Sequence, residues 1–137
     1  GNVIDQNRVR LAGVKYIPSP RPYFFKTNDS GSTFTEVMID DYDPLPSPPS
    51  FSLYRLKNGT LYFMSTEAGG PTGKSLRLYR SDDDGSTWTL VIRLAESVSN
   101  IYPSGAVLGN SFLMVWVRDP SNPKLYRLGT YIYEKCK

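Results

Sequence analysis

The chain has no histidine, and its one cysteine, Cys136, stands beside the last residue, Lys137. Without histidine, a Ser-His-Asp triad, a Cys-His pair and any imidazole-bound metal are excluded, and a single thiol excludes a four-cysteine zinc site. No metal and no cofactor are expected. Cys136 has no partner for an intramolecular disulfide, so nothing argues for an oxidising compartment and the localisation stays unknown. No apolar run approaches the roughly 20 residues that a membrane helix needs. No charged, apolar and small-residue leader opens the chain either, and neither a membrane nor a signal peptide enters the reading. Charge of one sign is also scarce: 16 Lys and Arg face 13 Asp and Glu over 137 residues. The basic residues are scattered, so nucleic acid is not an expected partner.

What the chain has is aromatic and turn residues: ten Tyr, six Phe and two Trp, with 11 Gly and 11 Pro. Aromatics favour strands, and frequent Gly and Pro favour short elements. Alternation with period 2 and turn punctuation predict strands at 8–16, 22–27, 34–39, 51–56, 60–66, 75–81, 88–94, 104–108, 111–117, 124–129 and 130–135. Only "LAESVSN", 94–100, reads as a helical turn. "KNGT", 57–60, carries Asn58-Gly59 where a type I′ hairpin needs two positive φ angles, and "LGNS", 108–111, resembles it. "DPLPSPPS", 43–50, cannot form a central strand because proline lacks the donor N–H, and reads as an extended crossover.

One pattern repeats. "TNDSGSTF", 27–34, and "SDDDGSTW", 81–88, share the template Ser/Thr-x-Asp-x-Gly-x-Thr-aromatic, 54 residues apart from Thr27 to Ser81. Each follows an aromatic-rich strand and precedes an apolar one. Around the second copy lie "SFSLYRL", an Asn-Gly turn, "TLYFMST", a loop, "SLRLYRS", the acidic turn and "WTLVIRL". Four antiparallel strands in about 45 residues is the size of one propeller blade.

The template resembles the Asp-box, or bacterial neuraminidase repeat, of sialidases and other β-propeller proteins. Its defined positions are Thr27, Asp29, Gly31, Thr33 and Phe34 in one copy and Ser81, Asp83, Gly85, Thr87 and Trp88 in the other. The resemblance implies that the turn joins a blade's third and fourth strands at the periphery, away from the axial site. The residues agree: a short carboxylate can accept from its own turn, glycine can adopt a left-handed conformation, and the aromatic can pack back between strands. The acids therefore read as structural. An EF-hand loop fails, because the position five before each glycine holds Lys26 or Arg80. "AGGPTGKS", 68–75, resembles a relaxed phosphate-binding loop, but a strand follows it where such a loop opens a helix. It reads as a flexible loop between a blade's second and third strands.

The fold class is all-β, with antiparallel propeller-type blades in units of about 1–43, 44–96 and 97–137. The first unit has three strand candidates, and the last has lost its box at "RLGTY". About two and a half to three blades do not close a ring of about four to eight. Three readings stay open: two copies completing six blades, neighbouring blades of a longer chain, or an open sandwich with a borrowed turn.

Sialidases, as the resemblance implies, use an arginine cluster, a Tyr assisted by Glu and an acid/base Asp. "KYIPSPRPYF", 15–24, has Lys15-Tyr16-Ile17-Pro18 where the family's aromatic-Arg-Ile-Pro motif would stand, without its arginine. Strand arginines read as solvated faces. By strand position, Arg55, Glu67, Arg118 and Asp119 are the candidate ligand-binding residues; catalytic residues are not assigned. The functional expectation is a non-catalytic recognition module that binds a glycan, with self-association as a dimer or neighbouring blades of a longer chain as its protein partners. A sialidase-like glycosidase and a structural component of a viral or cell-surface assembly are the alternatives. "NDS", 28–30, and "NGT", 58–60, match the glycosylation acceptor pattern, but turns explain both asparagines.

Overall fold

A computed structural model describes residues 2–44, 51–70, 73–94, 100–118 and 127–134. It is all-β. Among the described residues, eleven strands form three antiparallel meanders in chain order. The first sheet joins β1 (Asn2–Val3), β2 (Val9–Lys15), β3 (Arg21–Thr27) and β4 (Thr35–Met38). The middle sheet joins β5 (Phe51–Arg55), β6 (Leu61–Gly70), β7 (Gly73–Ser81) and β8 (Thr89–Leu94). The third joins β9 (Asn100–Leu108), β10 (Ser111–Arg118) and β11 (Arg127–Glu134). Among the described residues no helix is long and apolar enough to cross a membrane.

The middle sheet is covered on both faces. Leu53, Leu61, Phe63 and Tyr79 point to the first sheet and meet Phe24 and Ile39. Tyr62, Met64, Leu76 and Leu78 point the other way and meet Phe112, Met114 and Trp116 of the third sheet. This is why β6 begins as an unbroken apolar run, Leu61–Met64, where a half-solvated strand would alternate. Each fully buried side chain of this size contributes about 1.5–3 kcal/mol.

Each joint seats a ring over a glycine. Phe24 lies so close to Gly85 that a Cβ there would stand 2.1 Å from Phe24 Cε2, and Gly85 has φ +86°. Tyr54 lies over Gly105, where a Cβ would stand 2.9 Å from its ring; the Tyr54 hydroxyl accepts from Gly105 N at 3.0 Å. Phe112 stacks on Tyr62 with centroids 4.7 Å apart. Two hydrogen bonds to backbone carbonyls add to the joints: Asn2 Nδ2 donates to Leu53 O, and Lys57 N to Gly109 O, each at 2.9 Å.

Several expectations are corrected. The first unit has four strands, because Asn2 and Val3 pair with Arg10 and Val9. Residues 68–70 are no loop, since β6 runs to Gly70 and pairs there with Gly73. "RLGTY" is not a turn: Gly129 lies inside β11, opposite Trp116, so the strands expected at 124–129 and 130–135 are one over 127–134. "KNGT" is not type I′, because Gly59 has φ +91° but Asn58 has no positive φ. Gly59 N donates to Leu56 O and Leu56 N to Thr60 O, the pattern of a three-residue hairpin loop. Residues 45–50 of the proline-rich crossover and 95–99 of "LAESVSN" lie outside the described residues.

Candidate functional site

The sheets have two ends with different chemistry. At one end lie the acidic turns, which join β3 to β4 and β7 to β8. Ser81 Oγ donates to Asp83 Oδ1 at 2.8 Å and accepts from Gly85 N at 2.8 Å. Asp83 Oδ1 accepts from Thr87 N at 2.8 Å, and its Oδ2 from Thr87 Oγ1 at 2.5 Å. The first turn repeats this: Thr27 Oγ1 donates to Asp29 Oδ1 at 2.7 Å and accepts from Gly31 N at 2.9 Å. Asp29 accepts from Thr33 N at 2.9 Å and from Thr33 Oγ1 at 2.6 Å. The Thr87 and Thr33 bonds pull Asp83 and Asp29 from an ordinary 3.8 to about 2. Both carboxylates spend their acceptor capacity inside their own loops.

The aromatic positions diverge. Trp88 packs between sheets, 5.4 Å from the Phe24 ring, and its Nε1 donates to Gly85 O at 3.0 Å. Phe34 instead folds over Gly31 and is 50% exposed.

The three acids of "SDDDGSTW" have three partners. Asp82 accepts from Thr60 Oγ1 and Arg80 Nε, each at 3.1 Å. Asp83 closes the turn. Asp84, in a left-handed conformation at φ +57°, leaves the turn for the first sheet. Arg10 Nε and Nη2 donate to its two oxygens, each at 2.8 Å. The same guanidinium donates to Thr27 O at 2.8 Å and Asn28 Oδ1 at 3.0 Å, so it ties both acidic turns together. Its side chain is 3% exposed. The expectation of a solvated arginine is wrong at Arg10, and the partner 74 residues away explains why.

At the opposite end lies a charged cluster. Glu67 (β6), Arg77 (β7) and Arg93 (β8) share the face of the middle sheet that carries Tyr79, and residues 39–42 lie over it. Arg77 Nε and Nη2 donate to the two Glu67 oxygens, each at 3.2 Å. Arg93 donates to Glu67 Oε2 at 3.1 and 2.9 Å. Arg77 Nη1 also donates to Tyr79 Oη at 2.8 Å and to Asp40 Oδ2 at 3.3 Å. Tyr79 donates to Asp40 Oδ2 at 2.5 Å. Tyr42 stacks on Tyr79 at 6.1 Å, and the Arg77 guanidinium lies 4.4 Å from its ring centroid. Burial raises the Glu67 pKa, but Arg77 and Arg93 outweigh it and hold the carboxyl below its ordinary range. Burial, with the Asp40 hydrogen bond, pushes the Tyr79 hydroxyl well up despite Arg77.

The four candidates from the sequence do not form one site. Arg55 lies at the acidic-turn end, in a groove with Arg8, Asn58, Asp82 and Asp84. It pairs with Leu61, and Glu67 stands six positions farther along β6. At ~3.3 Å per residue that is roughly 20 Å. Arg118 ends β10, opposite Asn100 and Arg127. Its side chain, and Asp119 altogether, lie outside the described residues. Of the four, the described contacts place Glu67 alone in the cluster. Sequence reading missed Asp40, Tyr42, Arg77, Tyr79 and Arg93; the alternation of Arg77 and Tyr79 on β7, opposite Ser65 and Phe63, is the signal that they share a face.

Among the described residues, no three His, Cys, Asp or Glu side chains come together as a metal site. Compared with family models, curated proteins and solved structures, the chain matches none.

Proposed function

We propose that the three sheets are blades of an Asp-box propeller-type recognition module, and that the end opposite the acidic turns takes a carbohydrate. One observation carries this reading: the cluster of Asp40, Arg77, Glu67 and Arg93, assembled from two sheets around Tyr42 and Tyr79. Sugars present paired hydroxyls that suit the fork of arginine and the two oxygens of a carboxylate, and glycan recognition draws on such convergent polar groups. Arg93, 37% exposed, and Asp40, 41% exposed, are its open members. Tyr16, an exposed aromatic, follows β2 at the same end of the first sheet.

The glycosidase alternative has less support. Tyr79 is buried, its hydroxyl donates to Asp40, and its pKa is raised, which are the wrong properties for a nucleophile. The test is a glycan array on the full chain, followed by titration of the best hit. Arg93→Ala and Asp40→Ala should each weaken binding at least tenfold while Asp83→Ala leaves affinity intact in the folded fraction. An array without a hit, or affinity indifferent to both cluster variants, would overturn the reading. Turnover of a fluorogenic sialoside would replace it with the enzyme.

A further inference from the structure

Asn58 and Gly59 form the tip of the hairpin between β5 and β6, at the acidic-turn end of the middle sheet. Asn58 alone among the asparagines of the chain precedes a glycine. That order permits a reaction of the chain with itself. The glycine nitrogen, with no adjoining Cβ to obstruct it, can attack the side-chain amide carbon of the asparagine and close a cyclic imide. Asn58 is exposed to water. The turn also fixes its neighbour as glycine, since Gly59 has φ +91°.

Two groups at the tip favour this attack. Thr60 N donates to Asn58 Oδ1 at 3.0 Å, so the oxygen that gains negative charge when Cγ is attacked already has a donor. Arg55 Nη2 lies 3.5 Å from where a Cβ on Gly59 would stand, so a cation sits beside the nitrogen that must lose its proton. One bond opposes it: Gly59 N donates to Leu56 O at 3.0 Å and must let go first. Other asparagines are differently placed. Asn28 precedes an aspartate and gives its Oδ1 to Arg10, while Asn110 precedes a serine and gives its Oδ1 to Asn58 N at 3.0 Å.

We propose that Asn58 is a site of spontaneous modification, at which the side-chain amide becomes a carboxylate and the joint between the middle and third sheets loosens. Gly59 N gives up its proton and bonds Asn58 Cγ; the bond from Cγ to the amide nitrogen breaks, and that nitrogen leaves with the proton as ammonia. Water then opens the imide at either carbonyl. One opening leaves an aspartate on an unchanged backbone; the other leaves isoaspartate, whose main chain runs through the side chain and is one carbon longer. Water is the co-reactant throughout, and nothing is oxidised or reduced. The tip is pinned where this matters: Leu56 N donates to Thr60 O within the loop, while Lys57 N donates to Gly109 O and Asn58 N to Asn110 Oδ1 on the third sheet's turn. An extra carbon changes the length of the loop that these bonds span. The new carboxylate also enters a groove where Asp5 holds Arg8, Asp84 holds Arg10, and no ion pair among the described residues takes Arg55. Arg55 is its partner there. The inference is independent of the glycan proposal, because it concerns the opposite end of the sheets and is read by mass.

The experiment is peptide mapping by mass spectrometry on the full chain, held folded in mildly alkaline buffer and, in parallel, unfolded in urea. In the folded chain Asn58 should convert at least tenfold faster than any other asparagine and within tenfold of its rate in urea, with isoaspartate among the products. Arg55→Met should slow the conversion at least threefold in the folded chain and leave the rate in urea unchanged. Should that variant fail to fold, added salt, which screens the cation, should slow the wild-type reaction instead. An Asn58 amide that outlasts its unfolded counterpart by more than tenfold would overturn the proposal, because the Leu56 bond then governs. A rate indifferent both to Arg55→Met and to salt would overturn the part given to the cation. The isoaspartyl form, separated by chromatography, should unfold at least threefold faster than the unconverted chain. Asn58→Asp, which adds the charge without lengthening the main chain, should keep the original rate. Equal rates for the isoaspartyl and unconverted chains would overturn the loosening of the joint.

Discussion

Arg10 and Asp84 meet through two parallel hydrogen bonds of 2.8 Å each, joining a strand of the first sheet to the turn of the middle one across 74 residues of sequence. The arginine is buried and the carboxylate half-exposed. Burial raises the Asp84 pKa, but the Arg10 hydrogen bonds and charge overcome it and leave the group below its ordinary value. Bonds to a charged group contribute about 1.5–3 kcal/mol, and the exposure of Asp84 places this pair at the low end. Arg10→Met should cost about 2 kcal/mol in urea unfolding. Arg10→Lys should recover less than half of that, because an ammonium cannot reproduce the fork. A double-mutant cycle with Asp84→Asn should show coupling of about 1 kcal/mol; additivity would mean that the contact is geometric only.

Acid should loosen both turns. Asp29 and Asp83 are held near 2 against an ordinary 3.8. A carboxyl with a depressed folded-state pKa stabilises fully above its unfolded value, and the contribution is lost as pH falls through the folded value. Stability should therefore be flat above about pH 5 and fall between about pH 4 and 2. Asp83→Asn should flatten part of that slope in urea titrations at each pH. Asp83→Ala should lower the melting temperature more than Asp29→Ala, because the second turn also seats Gly85 and Trp88 against Phe24.

Gly85 and Gly13 should respond oppositely to alanine. At Gly85 a methyl meets the Phe24 ring at 2.1 Å on a backbone with φ +86°, so Gly85→Ala should cost at least about 2 kcal/mol. At Gly13 the space is open, and Gly13→Ala should change the stability of a single chain by less than about 0.5 kcal/mol. Thermal unfolding at low protein concentration checks both.

Glu67 neutralises two arginines. Glu67→Gln would take from Arg77, whose side chain is 13% exposed, the carboxylate that accepts two of its hydrogen bonds and leave it Asp40 alone. A loss of about 2 kcal/mol is expected. Arg93→Ala, which removes an open cation and leaves Arg77 on Glu67, should cost less than 1 kcal/mol. Chemical unfolding of the two variants side by side tests the order.

Much of this fold is legible in the sequence because strands declare themselves through alternation and turns through Gly, Asn and Asp. The misreadings share one physical cause: glycine and proline signal breaks that pairing overrides. Gly129 sits opposite Trp116 inside a continuous strand, and Gly70 faces Gly73 across a long hairpin. β1 was missed because two residues carry no period. The candidate site was hardly legible at all. Arg10 and Arg77 look like solvated strand residues until their acids arrive from 74 and 37 positions away. Ranking arginines by strand position also put Arg55 and Glu67 in one place, although they stand at opposite ends of the middle sheet.

The covering of the middle sheet on both faces has a kinetic consequence. Its central strand β6 is paired on both edges, and from Leu61 to Thr66 its side chains are buried. No partial opening that peels away the first or third sheet alone frees an amide of β6 from its neighbours. Protons on those amides should exchange with solvent only when the whole chain unfolds, while β1, β4 and β8 at the edges exchange through local fraying. The slowest amides of the molecule then report its global stability directly, with no denaturant added.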